Sequence, residues 1–178
     1  MESAAVALIV GVSTVLASGV TSSIVTYRLN RSKDETMFLR EKAEQLYLAT
    51  DEFDKAFSSQ ALTYFPLLKG EIDFNQMLNM QVEWGSRPTK HGGPETMIML
   101  AEIYFPPVQP ALEEVWAKRD AYNKLTSEIK WTWKEYGSVT GGGLLQRFKA
   151  VSLDVDRAIE AFKKSIVSAA QTHAGVKR

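Results

Sequence analysis

The sequence predicts an all-α protein: a single N-terminal transmembrane helix followed by an antiparallel helical bundle of three long helices plus one or two short ones. Three observations predict it. From Ser3 to Tyr27 there is no charged residue, and the run is rich in Val, Ala, Leu and Ile. Beyond it, apolar residues recur at steps of three and four between Gly- and Pro-containing breaks, the period of helices with one buried face. No stretch alternates apolar and polar residues as a half-buried strand does.

The first element is the apolar run. About 20 mainly apolar residues rising roughly 1.5 Å each cross a hydrocarbon core about 30 Å thick, and this run suffices. A cleaved signal peptide is the rival reading, with Val15-Leu16-Ala17 as its cleavage site. However, Met1-Glu2 lacks the positive charge of a secretory signal, and the run continues through Ile24 and Val25. A retained anchor is expected. Basic Arg28, Arg31 and Lys33 follow the run while only Glu2 precedes it, so the positive-inside rule puts the soluble part in the cytoplasm. In a bacterial cell the membrane would be the inner one. Ala4, Ala7, Gly11, Thr14, Ser18 and Thr21 line one side of the span at steps of three and four, a face that lets two membrane helices approach closely. Self-association there is the expectation, although short anchors are commonly rich in these residue types.

An amphipathic helix follows over 34–65, with Leu39, Ala43, Leu46, Thr50, Phe53, Phe57 and Tyr64 inward; Pro66 is expected to end or kink it. A short helix starts at Phe74, because Asp73 and Gln76 have the spacing of a capping box and Ile72 can staple onto Met77. It stops near Trp84-Gly85. The segment 85–93 reads as a loop, and Pro94 opens another short helix that ends at Pro106-Pro107. A long helix from about Pro110 to Tyr136 carries Leu112, Val115, Trp116, Arg119, Tyr122 and Ile129 on its periodic track. The run 137–143 is a Gly-rich turn. The last helix, from Leu144 to about Ala170, buries Leu145, Phe148, Ser152, Val155, Ile159, Phe162 and Ile166. The expected organisation is an anchor over 1–28, a bundle domain over 29–170 and a flexible tail over 171–178.

Bulk composition narrows the function. The 178 residues include 45% hydrophobic and 24% charged residues, a balance that folds. Lys+Arg and Asp+Glu stand at 21 each, without the basic excess a nucleic-acid partner calls for. No Cys is present, so disulfide and thiolate chemistry are excluded. The two histidines, His91 and His173, fall in a loop and in the tail, and neither sits in a Glu-x-x-His or His-Glu-x-x-His pattern. Gly141-Gly142-Gly143 precedes a helix but lacks the Lys-Ser/Thr of a phosphate loop. No catalytic residue, metal or cofactor is therefore expected.

Two surfaces remain. Arg87, Lys90 and His91 form a small basic loop that could receive a partner, or that is merely solvated. If the helix from Pro110 returns antiparallel to the first, then Lys130, Trp131, Trp133 and Lys134 join Arg28, Arg31 and Lys33 at the membrane surface; plain bundle packing is the competing reading, with Trp131 off the core track. The function expected on these grounds is a non-enzymatic, self-associating helical adaptor or regulator holding an unidentified protein partner at the cytoplasmic membrane face. A membrane-active effector that disturbs the bilayer is the alternative. The expected partners are membrane lipid, a further copy of the chain and that protein, with no nucleic acid.

Overall fold

A computed structural model describes the backbone of residues 2–85, 90–141 and 143–173, and the side chains from residue 30 onward apart from 31 and 173. Five α-helices and no strand occur among the described residues: α1 (Glu2–Lys69), α2 (Phe74–Gly85), α3 (Gly93–Tyr104), α4 (Gln109–Tyr136) and α5 (Leu144–His173). A 3-10 turn at Pro106–Val108 joins α3 to α4.

Helix α1 does not end at Pro66. The proline sits in the last turn, where its missing N–H removes a single intrahelical bond. The helix runs on to Lys69 because Leu67 and Leu68 are buried. It stops at Gly70, whose φ of 76° is the left-handed conformation. Gly70 N–H donates to Leu67 O at 3.0 Å and Glu71 N–H to Pro66 O at 2.9 Å, the paired bonds of a Schellman ending. A Cβ on Gly70 would lie 2.9 Å from Thr140 Cγ2, so the α4–α5 loop is packed tightly on this turn. Gly70→Ala is expected to destabilise the bundle by about 2 kcal/mol through strain and this contact. Urea denaturation should show part of the loss recovered when Thr140→Ser is added.

Asp73 and Gln76 cap α2 reciprocally: Gln76 N–H donates to Asp73 Oδ1 at 2.8 Å and Asp73 N–H to Gln76 Oε1 at 2.9 Å. Gly137, at φ 67°, ends α4 by donating to Trp133 O at 2.8 Å.

The long-range contacts give the order of passes. Along α2 and α3 the partners on α1 step backwards: Gln81 donates to Thr63, the amides of Lys90 and His91 to Glu52, and the Tyr104 ring meets Phe38. Along α4 they step forwards, Trp116 against Phe53, Tyr122 against Phe57 and Tyr64, and Trp133 on Phe74 just beyond α1. Along α5 they step back again, from Phe148 on Tyr64 and Phe65 to Lys163 on Asp54 and Asp51. The bundle is up-down-up-down, with its second pass broken into α2 and α3.

Helix α4 therefore runs parallel to α1, not antiparallel as expected from the sequence. Two successive helices of 12 residues each make the return journey that one long helix had been assigned. The core lies along one side of α1 from Ala43 to Leu68, and its middle layer is aromatic: Phe57, Tyr64, Tyr122 and Phe148. Their rings meet at centroid distances of 4.8–6.4 Å, mostly edge-on or tilted as the ring quadrupole favours.

Candidate functional site

The apolar run and its face of Ala4, Ala7, Gly11, Thr14, Ser18 and Thr21, with Arg28 and Arg31, have a helical backbone in α1, but their side chains lie outside the described residues. Among the described residues no helix is long and apolar enough to cross a membrane. Lys33 is exposed. Three other places bring polar or aromatic side chains together.

The first is the seam between α1 and α5. Lys163 stands on the buried side of α5, between Ile159 and Ile166, and its side chain is 9% exposed. Nζ donates to Asp54 Oδ2 at 2.6 Å, to Asp51 Oδ1 at 3.4 Å and to Glu160 Oε1 at 3.5 Å. Burial works against this ammonium, but the two aspartates outweigh it and hold its pKa above the ordinary lysine value. Asp51 also pairs with Lys55 at 2.6 Å, and these hydrogen bonds and charges hold its carboxyl below the usual range despite some burial. Asp156 behaves oppositely: burial, with Asp54 nearby, pushes its carboxyl upward. A raised carboxyl pKa means that folding favours the protonated form, so this group's contribution is best at acidic pH and is lost as pH rises through its folded pKa. Asp156→Asn is expected to raise the unfolding midpoint at neutral pH. The gain should vanish below the ordinary aspartate value of 3.8, where the wild-type carboxyl is neutral too; an unchanged midpoint at neutral pH would show that solvent already relieves the repulsion.

The second place is the basic loop. Glu52 on α1 accepts the backbone N–H of Lys90 at 2.6 Å and of His91 at 2.8 Å, which pins the α2–α3 connection to the middle of α1. Burial raises the Glu52 carboxyl, but these amides prevail and its pKa lies below the ordinary glutamate value. The side chains of Lys90 and His91 remain exposed, while Arg87 lies outside the described residues. These two amides are thus already occupied by a carboxylate.

The third place is the end of α4. Trp133 is half-buried and stacked on Phe74, with ring centroids 5.7 Å apart and planes 14° apart. Trp131 points outward at 59% exposure and meets Tyr136, itself 70% exposed, edge-on at 6.1 Å. Lys130 and Lys134 are exposed and form no ion pair among the described residues. An open cleft of about 410 Å³ adjoins Trp133, walled also by Leu67, Ile72 and Val139. Because α4 parallels α1, this end lies beside residues 67–73. It is roughly 60 Å from Arg28 along α1, counting about 1.5 Å per residue. The antiparallel return that would have set Lys130, Trp131, Trp133 and Lys134 on the same membrane surface as Arg28, Arg31 and Lys33 is made by α2–α3 and α5 instead.

Neither Lys163 nor Glu52 was picked out from the sequence as a contact residue. A lysine on the apolar track of α5 is a signal of a buried charge, and Asp51 and Asp54, three apart on one helix face, are its counterpart. Among the described residues no three His, Asp or Glu side chains converge as a metal site would require. The Tyr122 and Ser152 hydroxyls are buried without a hydrogen-bond partner among the described residues, and burial holds the Tyr122 phenol well above its ordinary value. That phenol is a poor acid. No family model, no curated protein and no solved structure matches this chain.

Proposed function

We propose that the chain is a membrane-tethered, non-enzymatic helical module, an adaptor or regulator that holds a protein partner at a set height above the cytoplasmic membrane face. The observation that carries this reading is α1. It is one helix of 68 residues, with the apolar run at one end and the bundle core at the other. A bundle built directly onto a membrane helix has its height and tilt coupled to that helix, whereas a flexible linker would leave both free. The tightly packed aromatic layer supports a rigid spacer over an effector whose helices rearrange in the bilayer. Association of two chains through the Gly11 face would pair such spacers.

The test uses the absence of native cysteine. Ser138→Cys places a thiol on the exposed α4–α5 loop. A membrane-impermeant maleimide should leave it unlabelled in intact cells and label it after lysis, with the chain retained in membranes at alkaline pH. Release by alkali would remove the anchor, and labelling in intact cells would put the bundle on the opposite side. Dye leakage from liposomes carrying the full-length protein would favour the effector instead.

A further inference from the structure

We propose that the bundle core holds one ordered water molecule, bound between the Tyr122 hydroxyl of α4 and the Ser152 hydroxyl of α5. Both hydroxyls are buried without a hydrogen-bond partner among the described residues, and the two residues are 1% and 7% exposed. Burial strips such a group of the bonds it makes in bulk water. Folded proteins almost always replace them, with protein groups or with internal water. Burial, and after it the nearby Tyr64 phenol, also raises the Tyr122 pKa. The Tyr122 oxygen therefore keeps its proton and needs an acceptor.

The two side chains lie at one height in the bundle. The Tyr122 ring is 4.8 Å from Phe57 and 6.4 Å from Tyr64, which sets it about 5 Å from the Tyr64 level toward Phe57. Phe148 meets Tyr64 and Phe65, and Ser152 follows one turn later on the same buried face of α5, about 6 Å in the same direction. The Tyr122 and Phe148 rings, 5.5 Å apart, span the contact between α4 and α5. Ser152 also differs from other hydroxyls of the core and its margin. Thr50 donates to Leu46 O, Thr63 to Gln60 O, Thr126 to Asn123 O and Ser165 to Phe162 O, each at 2.8–3.0 Å. Helix hydroxyls are commonly satisfied in this way by carbonyls three or four residues back. Ser152 makes no such bond, which leaves its oxygen for a partner across the core. A water that accepts from Tyr122 and donates to Ser152 satisfies both. The Tyr64 phenol offers it a third bond, the usual number for an internal water. Its partners then come from α1, α4 and α5, the helices that the aromatic layer already joins.

The experiment is urea titration of the full-length chain in detergent, for Tyr122→Phe, Ser152→Ala and the two combined. Nuclear Overhauser contacts between water and the Ser152 β-protons, in serine-labelled protein, report the bound molecule separately. Each change removes a single oxygen, so the fold should survive it. Either variant alone is expected to lower the folding equilibrium constant about fivefold, as for the loss of one net hydrogen bond. The combination should lose little more than either alone, because the first change already breaks the bridge. The wild-type protein should show the water contact. A Tyr122→Phe protein more stable than wild type would mean that the phenol is buried unbonded, which overturns the site. Losses that simply add would give each hydroxyl a separate partner and overturn the bridge. Non-additive losses without a water contact would make the two hydroxyls bond each other, and the water would be overturned.

Discussion

Phe148→Ala is expected to lower the unfolding free energy of the bundle by about 4 kcal/mol, the upper part of the range for a buried aromatic truncated in a well-packed core. The side chain is fully buried, and its ring lies 5.2 Å from Tyr64, 5.3 Å from Phe65 and 5.5 Å from Tyr122. It therefore fills the space where α1, α4 and α5 meet, and three rings lose a neighbour at once. Those rings sit on helices braced by other contacts, so collapse into the cavity is limited and most of the loss should persist. Denaturant titration of the full chain in detergent, followed by tryptophan fluorescence and circular dichroism, measures it. Tyr136→Ala, at an exposed site, should fall within about 0.5 kcal/mol of wild type. A loss at Phe148 below about 1 kcal/mol would mean that the aromatic layer repacks freely.

Lys163→Ala is expected to destabilise by about 3 kcal/mol at neutral pH, because it leaves Asp54 without its cation, with Asp156 nearby, and Asp51 with Lys55 alone. The lower end of the range for broken buried pairs applies, since the Asp51 and Asp54 side chains are 34% and 24% exposed and water can partly answer them. Lys163→Met keeps the stem that packs in the seam and loses only the charge, so its loss should be the smaller of the two. The sign of the pH dependence follows from Asp51. Its folded pKa is depressed, so its stabilising contribution is present above the ordinary value of 3.8 and is lost as pH falls through the folded value. Lys55, which the variant keeps, supplies the larger part of that depression and Lys163 the smaller, so the difference between wild type and Lys163→Ala should be largest near neutrality and shrink on acidification only by the part that Lys163 contributes at Asp51. A difference independent of pH would assign the loss to packing of the stem alone.

Features that depend on neighbours a few residues away were legible in the sequence. The Asp73–Gln76 cap, the Gly137 ending and most of the buried stripes of α4 and α5 are local and were expected where they are found, although Trp116, Arg119 and Leu145 are only half-buried. Of the two outcomes expected at Pro66, the helix ending does not occur, because Leu67 and Leu68 just beyond it are buried. The direction of α4 was not legible either. It depends on whether α2 and α3 lie end to end along α1, which their own periodicity does not reveal. The contacts of Lys163 and Glu52 were hidden for the same reason, being made across 109 and 38–39 residues respectively. Side-chain type and spacing describe the face a helix presents, while the identity of what covers it is a property of the whole chain.

An even number of passes also decides where the chain can be extended. Ten residues beyond Lys163, about 15 Å further along α5, His173 returns to the level of Ala43, where the bundle core begins along α1. A reporter or affinity domain fused behind α5 would thus sit low, beside the stalk, and leave the α1–α2 and α4–α5 turns uncovered. An insertion in either of those turns would stand at the summit and shield Trp131 and Tyr136 from whatever approaches them.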